Sequence, residues 1–143
     1  MKTTELMIGD KVMVKVLSQI PNTYVLHTWT ANDYSSDIQV KPIPLTPEIL
    51  EKNGWYYGLT SDEEDAEQCL GGCHYNRHWC YDEGAGSISL IFPNDTDGGE
   101  LIIDDQSFNR HLNFVFCDTL HVHELQRTLR LCGLNELADN FKV

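Results

Sequence analysis

The densest run of metal-ligating and nucleophilic residues is Cys69-Leu70-Gly71-Gly72-Cys73-His74-Tyr75-Asn76-Arg77-His78-Trp79-Cys80. A tetrahedral zinc site needs four soft or borderline ligands with converging lone pairs, and Cys69, Cys73, His78 and Cys80 would supply them from a folded loop. The spacing opposes this. C-x3-C is not the usual knuckle, and four ligands so close in sequence strain a closed site unless Cys117 or His121 replaces part of the set. The competing reading is a loop and strand whose thiols pack as small hydrophobes. A thiol nucleophile, Cys73 or Cys80 activated by His74, His78 or another histidine, is the remaining option. No local signature of a cysteine hydrolase accompanies it.

Other chemistry-bearing stretches fail at a definite position. His121-Val122-His123-Glu124-Leu125-Gln126-Arg127 has Arg127 where a zinc-protease helix needs its second histidine, four residues after His123. His123 is therefore expected on a helix surface or at an interface. Asp95, Asp97, Glu100, Asp104 and Asp105 lack the alternating loop and closing glutamate of a calcium hand, so a solvated hairpin tip is expected. Gly84-Ala85-Gly86 and Gly98-Gly99 are not followed by the lysine of a phosphate loop. No catalytic, cofactor-binding or metal-binding residue is assigned, and no cofactor is expected.

The chain has 143 residues and a net charge of −12. That charge repels phosphate backbones, so direct nucleic-acid binding is disfavoured. It suits a soluble protein, one that meets a basic partner, or a mimic of nucleic acid. Five cysteines fit poorly with a closed set of disulfides. The first ten residues have no apolar run of signal-peptide length, and nothing later approaches a membrane span. Cytoplasmic residence without membrane association is the expectation.

The elements follow from periodicity. Val12, Val14 and Val16 alternate with Lys11, Met13 and Lys15 after a Gly9-Asp10 turn, which predicts a strand. Further strands are predicted from Tyr24 to Thr30 and at Ile38-Gln39-Val40. So many short strands suggest a small curled barrel. Thr46 is a good N-cap, Pro47 suits the first helical position, and Leu45 with Leu50 can form a hydrophobic staple. Asn53-Gly54 supplies the stop, giving a helix over 47–53. Trp55-Tyr56-Tyr57 reads as a strand. Residues 88–92 and 101–103 read as a hairpin with a long tip, and His111 to Cys117 as a strand with Leu112, Phe114 and Phe116 on one face. A helix at about 120–132 carries Val122, Leu125, Leu129 and Cys132 on its apolar face, with Glu124, Arg127 and Arg130 toward water. Gly133 ends it, and residues 134–141 can add a short turn of helix.

Three segments also carry a resemblance. They are Glu5-Leu6-Met7-Ile8-Gly9-Asp10-Lys11-Val12, Ile43-Pro44-Leu45-Thr46-Pro47-Glu48-Ile49-Leu50-Glu51-Lys52-Asn53-Gly54 and Val122-His123-Glu124-Leu125-Gln126-Arg127-Thr128-Leu129-Arg130. In this order they resemble small proteins of Bacteroides genomes, their phages and mobile elements. The resemblance is carried by these three segments. It implies a small Src-homology-3-like (SH3-like) barrel over residues 1–45 and an α+β half over 46–143, in one compact unit or two. It brings no activity and no site residue. The expected fold is thus α+β: a barrel, then an antiparallel sheet packed against a C-terminal helix. The expected role is a non-enzymatic protein-interaction or accessory protein of a phage or mobile element, whose partner is another protein. The alternatives are a zinc-binding or thiol-dependent protein using residues 69–80, and an acidic nucleic-acid mimic.

Overall fold

Alternation in Lys-Val-Met-Val-Lys-Val resolves into one buried and one outward row. The computed structural model describes residues 5–20, 22–33, 37–58, 76–83, 86–93, 99–105, 110–116 and 120–143. In it, Lys11–Val16 is strand β1, flanked antiparallel by β2 (Val25–Thr28) and β3 (Ile38–Lys41), in the order β2-β1-β3. Val12 and Val14 are buried with Leu6 and Trp29, and Val16, Ile38 and Val40 pack against them. The expected short strands are therefore present. Among the described residues they form an open three-stranded sheet and not a closed barrel.

The chain separates into two units, Met1–Leu45 with His121–Val143, and Thr46–Leu120. This differs from the division at residue 45, which assigned the closing helix to the second half. The helices α2 (Val122–Leu131) and α3 (Asn135–Asp139) belong to the first unit. The reason lies in polar bonds over long sequence separations. Val122 N–H donates to Ile43 C=O (2.9 Å), and Gln126 and Arg130 of α2 both reach the Gly9-Asp10 turn that opens β1. Glu124 caps α2 by accepting from His121 N–H (2.8 Å). Gly133, at φ +82°, ends it as the sequence requires, with Leu134 N–H returned to Leu129 C=O.

Gln126 is fully buried and bonded at both ends of its amide. Its Oε1 accepts from Lys11 N–H (2.8 Å), and its Nε2 donates to Ala138 C=O (2.8 Å) and Gly9 C=O (3.2 Å). Asp10, also fully buried, accepts from Arg130 Nη1 (2.5 Å) and from Met7 N–H (2.8 Å). Arg130 Nε donates to Asp139 Oδ1 (3.2 Å), and Nη2 lies 3.2 Å from the same oxygen without hydrogen-bond alignment. Arg130 was expected to face water; its side chain is only 10% exposed, because the Asp10 carboxylate lies beneath it. Gly9 completes this lock. Its φ is +95°, and a Cβ there would lie 2.7 Å from Arg130 Nη2, so only glycine fits both the turn and the guanidinium.

In the second unit, α1 (Pro47–Lys52) starts and stops as its residues dictate. Thr46 Oγ1 accepts from Ile49 N–H (3.4 Å), Pro47 opens the first turn, and Gly54 takes φ +82°. β4 (Tyr56–Gly58), β5 (Asn76–Glu83), β6 (Gly86–Pro93), β7 (Gly99–Asp105) and β8 (Arg110–Phe116) pair antiparallel in chain order. Register aligns Trp79, Leu90, Leu101 and Phe114 in one cross-strand row, and Tyr81, Ile88, Ile103 and Leu112 in the next. Trp79, Leu90, Leu101, Ile88 and Ile103 are buried, so these rows form the apolar face of the sheet. Trp55, just after α1, is buried with its ring 5.7 Å from that of Tyr81. No helix among the described residues is long and apolar enough to cross a membrane.

Candidate functional site

The Cys/His segment is partly a strand. His78 and Cys80 occupy alternate positions of β5, on either side of Trp79 in the sequence. Cys69, Cys73 and His74 lie outside the described residues, as do Cys117 and the hairpin tip at Asp95 and Asp97. No cluster of His, Cys, Asp and Glu able to hold a metal occurs among the described residues.

Cys80 sits in a cross-strand row with Tyr56 and Ser89, and its neighbour two residues on, Asp82, accepts from the Tyr56 hydroxyl (3.2 Å). Burial pushes the Cys80 thiol above its ordinary pKa; the Ser89 hydroxyl pulls it back, and the Asp82 carboxylate raises it further. A catalytic thiol needs the opposite shift. Peptide-resolved iodoacetamide labelling at neutral pH should find Cys80 slower than an exposed thiol. Asp82→Asn should speed it about two- to threefold, and Ser89→Ala should slow it. Fast labelling of Cys80 in the wild type would contradict this assignment.

His121 and His123 stand at the start of α2 with their rings stacked at 5.8 Å between centroids. His121 Nδ1 lies 3.0 Å from Glu124 Oε2. His123, expected on a helix surface or at an interface, is buried, which excludes the first, and its Nδ1 is unpartnered among the described residues. Placement in the first turn between Val122 and Leu125 faces it inward. Burial lowers its pKa below 6.5, against the pull of Glu124 and Asp10 and with the push of His121 and Arg127. As pH falls through about 6.5, the unfolded chain takes up this proton before the folded one does, so stability is lost on acidification. Thermal midpoints should therefore fall between about pH 7.5 and 5.5. His123→Leu should lessen that fall, and an unchanged slope would show that His123 does not contribute.

A different arrangement lies on the outward face of β2-β1-β3. Register places Lys11, Met13 and Lys15 of β1 beside Leu26 and Thr28 of β2, and beside Gln39 and Lys41 of β3. Tyr24, just before β2, joins the same face. Lys15 Nζ lies 5.0 Å from the centre of its ring, and Lys41 Nζ lies 4.4 Å from it. The Tyr24 hydroxyl donates to Gln39 Oε1 (3.4 Å), and Lys11 Nζ donates to Thr28 Oγ1 (2.5 Å). Leu26 is 51% exposed. None of the outward positions holds a carboxylate, in a chain with 22 of them. Lys11 and Lys15 were legible as the polar half of an alternation. That Tyr24 and Lys41 join them depends on β1 lying between β2 and β3, which local pattern does not specify.

These features define an α+β protein of two antiparallel sheets with short helices, one sheet bearing a basic, aromatic outward face. The chain matches no protein-family model, no curated protein and no solved structure.

Proposed function

We propose that the protein is a non-enzymatic interaction protein, and that it docks another protein on the outward face of β2-β1-β3. One observation carries this reading: three lysines, a tyrosine ring and an exposed leucine share a sheet face that bears no acid among the described residues. Exposed apolar and aromatic surface flanked by charge is the composition of a recognition surface. The net charge of −12 disfavours a long polyanion such as nucleic acid as the occupant. An accessory role in a phage or mobile element draws its support from the resemblance of residues 5–12, 43–54 and 122–130. An SH3-like character for residues 1–45 has the same support.

A photo-crosslinking residue at Leu26 tests the docking face in cells that express the chain naturally. A discrete crosslinked species that disappears when Tyr24 is changed to alanine is expected. The same species formed equally from a control position such as Glu51, or surviving Tyr24→Ala, would overturn the reading.

A further inference from the structure

We infer that this face takes an extended acidic segment, with carboxylates on either side of an apolar residue, from a partner protein. The inference rests on the docking reading above and adds the chemistry of the occupant.

Its basis is the placement of charge. Lys41 reaches from β3 across β1 to the ring of Tyr24, on the β2 side, where Lys15 also ends. Two ammonium groups are thus gathered at one aromatic ring. The ring attracts each weakly, while the two repel each other. Neither has a carboxylate partner among the described residues. An incoming carboxylate relieves that repulsion.

The second charge position is Lys11, four residues before Lys15 on the same face, about 13 Å along the strand. Met13, with Leu26 opposite it, lies between them. Cation, apolar step and cation therefore follow one another along β1 at strand spacing. A ligand lying extended along β1 matches this order with acid, apolar and acid at alternate positions. Charge complementarity favours a short acidic segment over nucleic acid, since three lysines neutralise few phosphates and the rest of the chain repels a long polyanion.

The test uses fluorescence anisotropy with the full chain and three labelled probes. One is a peptide with the order Glu-x-Leu-x-Glu, the second has glutamine in place of both glutamates, and the third is oligothymidylate. The glutamate peptide should bind at low salt. Its affinity should fall about tenfold on raising salt from about 50 to 500 mM, and by at least as much in Lys15→Gln/Lys41→Gln. The glutamine peptide should bind much more weakly. Circular dichroism of the variant checks that the fold is kept, and Glu51→Gln serves as a charge-change control elsewhere.

Equal binding of both peptides, weakened by Met13→Ser/Leu26→Ser, would overturn the acidic assignment and leave the docking face standing. Tighter binding of oligothymidylate, lost in the same lysine variant, would overturn it in favour of nucleic acid. No binding of the glutamate peptide, or binding indifferent to Lys15 and Lys41, would overturn it outright. The docking reading is decided separately by the crosslink at Leu26.

Discussion

Asp10→Ala is expected to destabilise the first unit by about 3 kcal/mol, because it leaves the Arg130 guanidinium buried with only an exposed carboxylate for company. The cost has two parts. Arg130 loses its closest anion, and Met7 N–H loses the acceptor that closes the turn. Removing one partner of a buried pair costs far more than the pair contributes, since the desolvated charge remains. Asp139 is 59% exposed, so Asp139→Ala should cost about 1 kcal/mol or less. Asp10→Asn keeps an acceptor for Met7 and should fall between these values. Urea unfolding of the three variants checks the order. Equal effects at Asp10 and Asp139 would show that the lock is not the buried pair described here.

Gln126→Leu should cost a similar amount, about 3 kcal/mol, although leucine nearly matches the volume removed and suits the apolar surroundings. Leucine leaves Lys11 N–H, Ala138 C=O and Gly9 C=O without the amide that joins them. Each unsatisfied buried group costs about 1–3 kcal/mol, partly recovered by relaxation. Gln126→Glu separates hydrogen bonding from hydrophobicity. It retains the acceptor for Lys11 but directs negative charge at two carbonyl oxygens, and should be at least as damaging as leucine. Denaturant midpoints measured above pH 7 make the comparison. A stable Gln126→Leu protein would mean that packing alone holds α2 to β1.

These two residues also show where the fold was legible and where it was not. The apolar stripe of α2, its glycine stop, the Thr46 cap and the alternation of β1 are local patterns, and each element lies where its residues placed it. Gln126 stands four residues after Val122 and three before Leu129, on the apolar stripe itself. A polar residue there was the available signal of a buried bond. Its partners, residues 9, 11 and 138, are distant in sequence, so local pattern could not name them. Arg130 was assigned to water for the same reason: hydropathy sorts a guanidinium outward unless the carboxylate opposite is known.

Of the two positions open to His123, helix surface or interface, the surface is excluded, because the inward turn of the helix buries the ring. β5 was obscured differently. Its apolar positions, Trp79 and Tyr81, alternate with His78, Cys80 and Asp82, so the segment reads first as a ligand cluster and only then as a strand. The candidate face was half legible. Lys11, Met13 and Lys15 came from one strand's alternation, whereas Tyr24 and Lys41 required the β2-β1-β3 order.

The measurement that tests the central claim most directly is an amide NMR titration of labelled protein with the Glu-x-Leu-x-Glu peptide. The account predicts shifts concentrated at Lys11, Met13, Lys15, Leu26, Gln39 and Lys41, saturating together and vanishing in Lys15→Gln/Lys41→Gln. Shifts confined to β5–β8, or none on β1, β2 and β3, would contradict it.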